Sequence, residues 1–234
     1  MSVSIAFKGK KMAFKFEPDV MVETFPLLLS GVKLTIIITL CGLLIGFAIG
    51  VICGLMKLSK NLLISKLAGS YVEIIRGTPL IVQVMFLYFG IPMASGLRIP
   101  PLTAGVIAIA LNSGAYIAEI VRGAVQSIDY GQREAGRSIG LTKIQTMRYI
   151  IWPQSFRRMI PPLGNQFIIS LKDTSLLVVI GVAELTRVGQ EIIAVNFRAF
   201  EVWLTVGLVY LMMTLTISRV LKTVENRIER RGAR

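Results

Sequence analysis

Histidine is absent from all 234 residues, which removes the usual general base, the commonest metal ligand and the side chain that titrates near neutral pH. Charge is scarce, with 17% Asp, Glu, Lys and Arg against about 25% in an ordinary soluble domain. Acidic residues are scarcer still, 13 against 26 Lys and Arg, for a net charge of +13. The two cysteines, Cys41 and Cys53, sit in one apolar run without metal-type spacing and read as packing residues. No G-x-x-x-x-G-K-[ST] loop is present to cradle phosphates, and no Ser or Cys nucleophile stands beside a plausible base. Catalytic and metal sites are therefore not expected.

What the chain has instead is long uncharged stretches. Apolar residues make up 54% of it and the mean hydropathy is +0.69. The runs Leu34 to Met56, Gly77 to Leu97 and Ile99 to Ala118 are each uncharged and about 20 residues long, enough to cross a bilayer core as a helix. The first is expected to begin near Phe25, with Lys33 snorkelling. A fourth, Met159 to Ala183, is interrupted by Lys172-Asp173, and a fifth runs from about Val202 to Leu221. Pro92, Pro100 and Pro101 crowd the expected turn between spans two and three. A soluble nucleic-acid binder is excluded, and five transmembrane helices are predicted in an all-α membrane protein.

The cations sort by segment. Residues 57–76, 119–158 and the tail from Arg219 carry most of them, while the alternate links hold Arg98, Arg187 and Arg198. The positive-inside rule places the basic segments, and the C-terminus, in the cytoplasm, and the N-terminus outside. Lys8, Lys10, Lys11 and Lys15 oppose this placement, offset by Glu17, Asp19 and Glu23. The expected organisation is an N-terminal interfacial segment 1–24, a transmembrane domain 25–221 with a loop 119–158, and a basic tail 222–234 on anionic lipid. The apolar run after the N-terminal segment is too long for a cleaved signal peptide.

Within that loop, Asp129 can cap a helix with Gln132 at its third position, and Gly140 can take the left-handed stop. A second helix, capped by Thr142 with Gln145 three on, is expected to close at Pro153. The pair reads as a rigid docking lever or as a solvated loop. Glu134-Ala135-Gly136, three residues, Gly140, nine residues, then Ile150-Ile151-Trp152-Pro153 resembles the EAA loop of binding-protein-dependent ABC importer permeases, with Gly136 and Trp152 departing from the pattern. The stretches Val72 to Pro79, Asn112 to Gly123, Pro161 to Gln166, Lys172 to Leu176 and Gly181 to Phe200 look like the polar amino acid branch, most like its glutamine permeases.

The resemblance implies a type I importer permease in the bacterial cytoplasmic (inner) membrane. It would bind no cofactor or nucleic acid and work with a cytoplasmic ATPase dimer that uses ATP, a second permease subunit, like or unlike, and an extracytoplasmic amino acid binding protein. Asp129, Gln132, Arg133, Glu134, Ala135, Gly136, Gly140 and Pro153 would then form the coupling segment. The small residues at 135 and 136 would let its helix seat in a groove of the ATPase. An ion-coupled secondary carrier, or an adaptor that anchors a soluble partner, is the alternative.

Polar groups inside spans are costly in lipid and should face protein or water. Asn112, Tyr116 and Glu119 fall on one helical stripe with Ser113 beside it. Glu119 could take an amino acid's ammonium while Asn112 and Ser113 bond an amide, or Glu119 could pair with Arg122 as an anchor. Lys172 and Asp173, with Asn165 and Gln166 above them, form either a lining of the path or inter-helix anchors. Gln83 reads as a bond to a neighbouring helix, and Glu73 with Arg76 as a surface pair.

Overall fold

The computed structural model describes residues 3–7 and 10–232. Strands β1 (Val3–Phe7) and β2 (Lys10–Phe14) pair as an antiparallel hairpin, Val3 opposite Phe14. Helix α1 (Pro18–Lys57) follows, with Pro18 at its start, where a missing N–H costs nothing. The expected boundary at Phe25 thus falls inside a helix that continues through Pro26.

α2 (Leu62–Gly77), capped by the Asn61 side chain, and α3 (Leu80–Met85) flank Thr78-Pro79. Thr78 is held extended, as a residue before proline prefers, and the chain turns by 104° there. Gln83 mends the break: its amide donates to the Ile75 carbonyl (2.7 Å), the Thr78 carbonyl (3.1 Å) and the Thr78 hydroxyl (3.0 Å). The second span is therefore bent at its start, where the sequence suggested one continuous run. A π-helical turn, Phe86–Gly90, joins α3 to α4 (Ile91–Ser95). Pro92 lies inside this helix, not in the following link. A widened turn frees backbone groups from the usual register, so the missing N–H of Pro92 does not end the helix.

α5 (Pro101–Gln126) starts on its proline and is the most buried span. α6 (Tyr130–Ser138) and α7 (Lys143–Thr146) lie beyond it. A second π turn, Met147–Ile151, leads into α8 (Trp152–Asp173) with Pro153 in its first turn. The expected helix end at Pro153 is thus a continuation, by the same device as at Pro92. A 3₁₀ segment, Thr174–Ile180, extends α8 past Lys172-Asp173 to Gly181, whose φ of +78° stops it. α9 (Leu185–Asn196) and α10 (Ala199–Gly232) complete the described chain. Among the described residues, four helices are long and apolar enough to cross a membrane, or up to five if the bent pair is one span.

The core is the seam between α1 and α5. Gly42, Gly46, Gly50 and Gly54 recur every fourth residue and are all buried. A Cβ on Gly42 would meet the Ile109 side chain at 2.6 Å, one on Gly50 the Ile117 side chain at 2.6 Å, and one on Gly54 the Ala118 carbonyl at 2.8 Å. The two backbones approach this closely because lipid offers no hydrophobic drive between helices, leaving close packing to hold them. Two to three turns before Gly42, Gly31 and Thr35 seat α9: the Thr35 hydroxyl accepts from the Leu185 N–H at 3.2 Å. The opposite side of α1 exposes Leu40, Leu44, Ile45, Phe47 and Ile52, a face suited to lipid.

Candidate functional site

Glu119, near the end of α5, gathers three cations from three helices. Its carboxylate pairs with Lys57 at the end of α1, with Arg122 one turn on (Nη2 2.6 Å, Nε 3.1 Å), and lies 3.8 Å from Arg76 at the end of α2. Arg76 also stacks over Tyr116 at 5.1 Å, and Arg122 donates to Gln126 at 2.6 Å. A cavity of about 500 Å³ opens beside Lys57, Glu73, Arg76, Tyr116 and Glu119. The geometry is that of an anchor tying three helix ends.

The rest of the expected stripe is dispersed. Asn112 is buried and donates to Gln83 at 3.3 Å, so it belongs to the mend at the bend of span two. Ser113 is buried and donates back to the Ala110 carbonyl at 3.3 Å against Gly46. Gln166 is buried, bonded to Ser170 at 3.2 Å. Lys172 and Asp173 differ: Lys172 is exposed, Asp173 is half-buried, and among the described residues neither side chain has a hydrogen-bond or ion-pair partner. They are the last two residues of α8, where the charge of Lys172 acts on Asp173.

Replacing Glu119 by Gln leaves Lys57, Arg76 and Arg122 facing one another without an acid. A hydrogen bond to a charged group contributes about 1.5–3 kcal/mol, so thermal unfolding of the purified Glu119→Gln protein is expected to shift down by roughly 3–10 °C, with the apparent affinity for transported solute unchanged. A changed affinity at an unchanged melting temperature would return Glu119 to the path.

At the same end, α6 stands out from the bundle. Asp129 caps it through the Gly131 N–H (2.7 Å), and Gly140 takes the left-handed stop at φ +85°. Thr142 and Gln145 form a reciprocal capping box at the start of α7. Glu134 and Ala135 are exposed. Gly136 is not: a Cβ there would sit 2.8 Å from the Ile150 and Thr146 side chains, so the chain's own packing presses on this position. Gln132 accepts from Gln154 at 3.2 Å, and Arg133 donates to the Val125 carbonyl at 3.2 Å. Tyr130, Ile139, Ile144 and Tyr149 are exposed by 61–80%. These apolar tips in a polar loop complete the face, and their contrast with the neighbouring charges is the signal that would have marked them.

Glu184 also escaped sequence reasoning. Fully buried, it caps α9 through the Thr186 and Arg187 N–H groups (3.0 and 2.9 Å) and accepts from the Tyr210 hydroxyl at 2.8 Å. A capping Glu is uncommon, and Tyr210 is far away in sequence.

The fold is thus a multi-pass helical bundle with an exposed helix, α6, capped by Asp129 and stopped at Gly140, between two spans. Residues 42–231 match the family model for binding-protein-dependent transport system inner membrane components, and the chain belongs to that family. It is a non-enzymatic permease subunit, with ATP handled by a partner ATPase. The glutamine transport system permease protein of Escherichia coli K12 is 52% identical over 216 residues, 92% of this chain and 99% of that protein. The nopaline transport system permease protein of Agrobacterium fabrum is 38% identical, covering 88% and 90%. The crystal structure of an amino acid ABC transporter with histidines matches with a TM-score of 0.87 and 43% identity, over 92% of this chain and 100% of that one. These likenesses give the ion-coupled carrier no support.

Proposed function

We propose that this chain is the transmembrane subunit of an ATP-driven importer of glutamine. The exposed α6, capped at both ends and held between spans, carries the reading, because a chain without a phosphate loop needs a surface on which an ATPase can act. The 52% identity to a glutamine permease supports the choice of amino acid. Two permease subunits would enclose the path in the bacterial inner membrane, N-terminus outside and C-terminus in the cytoplasm, with a binding protein delivering glutamine. The asymmetry of cations between alternate links supports that orientation.

Within the path, Lys172 and Asp173 suit the carboxylate and ammonium of a zwitterion. ATP-dependent uptake of labelled glutamine by cells expressing the complete transporter is expected, with excess unlabelled glutamine competing and arginine not. Asp173→Asn and Lys172→Gln should each cut uptake by about tenfold, the size of one lost charge-assisted bond, with the complex still assembled. Uptake that arginine, but not glutamine, suppresses would overturn the substrate.

A further inference from the structure

The last carbonyls of a helix have no partner within it and carry the negative end of its dipole. At the end of α5 two such carbonyls are taken by arginines from elsewhere in the chain. Arg133, on α6, donates to the Val125 carbonyl at 3.2 Å. Arg158, on α8, directs one nitrogen, Nη1, at both the Ser127 carbonyl (2.5 Å) and the Ser127 hydroxyl (3.0 Å). That hydroxyl donates to the Ala124 carbonyl at 2.7 Å. Beneath these ties Ile128 is buried with Val125 and Ile151, while Gly136 rests on Thr146 and Ile150.

Two kinds of contact therefore hold α6. Ile128 plugs the link before α6 and Gly136 seats α6 itself, while Arg133 ties α6 to the end of α5 and Arg158 ties α8 to Ser127 in the link that leads into α6. α5 and α8 also pack on each other through Ile117, Val121, Ala124 and Met159, and α8 leads on to Lys172 and Asp173. We infer that Arg158, seconded by Arg133, is a positioning residue for energy coupling: by tying α8 to Ser127, in the link that leads into α6, it carries a displacement of α6 into α5 and α8 together. The inference rests on the reading that α6 docks an ATPase.

The test is the amount of ATP hydrolysed per glutamine imported, measured in proteoliposomes containing the whole complex. In Arg158→Ala the ATPase should remain bound and active while ATP consumed per solute rises by roughly 3- to 30-fold, the range over which residues in a coupling network act. Arg133→Ala should move the ratio the same way. Arg158→Lys, which still presents one nitrogen to Ser127, should lie between wild type and Arg158→Ala, and it gives the reading if the alanine permease itself fails to fold. An unchanged ratio, or loss of the ATPase from the Arg158→Ala complex, overturns the inference. Failure of the docking premise shows separately, as an Ala135→Asp complex that keeps its ATPase.

Discussion

Gly46→Leu is expected to leave almost no folded permease in the membrane. A Cβ at position 46 already meets the Ser113 hydroxyl, the Ala110 carbonyl at 2.9 Å and the Gly114 nitrogen at 3.2 Å, so part of the obstacle is backbone of the facing helix, which cannot rotate away. Overpacking a well-fitted core costs about 1–3 kcal/mol. Here relief requires opening a seam that runs from Gly42 to Gly54, and the seam supplies most of what holds α1. The yield of monodisperse protein after size exclusion should fall by about tenfold or more, as for the severest packing substitutions. Gly123→Ala is the control: nothing lies within 4 Å of its Cβ, and yield should be unchanged or slightly raised, since alanine favours a helix over glycine by about 1 kcal/mol.

Ala135→Asp should abolish transport while the permease itself folds normally. Ala135 is exposed on α6 beside Glu134, so the substitution buries nothing in the isolated chain and should leave its melting temperature unaltered. In the complex it would bring a carboxylate into the interface, where an unpaired buried charge costs several kcal/mol. Co-purification of the ATPase should fall to background, and glutamine uptake with it. An Ala135→Asp complex of normal composition and normal uptake would move the docking surface elsewhere.

Sequence made some elements legible and hid others, for physical reasons. The caps at Asp129, Thr142 and Gly140 are local, with every partner within three residues, and each takes its expected place. Uncharged runs located the spans because length against the bilayer is a one-dimensional criterion. Prolines misled the reading at Pro92 and Pro153, where a π turn lets the helix continue. The stripe Asn112, Tyr116, Glu119 was correct as helical geometry, yet which partner each side chain finds depends on Gln83, Arg76 and Lys57 from other helices. The period-four glycines of α1 were readable in principle, their spacing being the small-residue pattern of close helix contacts. Glu184 and Arg158 were not, since their roles exist only once distant segments meet.

The most direct test of the central claim is glutamine uptake into proteoliposomes holding this chain with its ATPase and binding protein, compared with liposomes holding this chain alone under proton or sodium gradients. The account predicts uptake that requires ATP, the ATPase and the binding protein together, and none from the chain alone. Robust uptake by the chain alone, driven by an ion gradient, would contradict it.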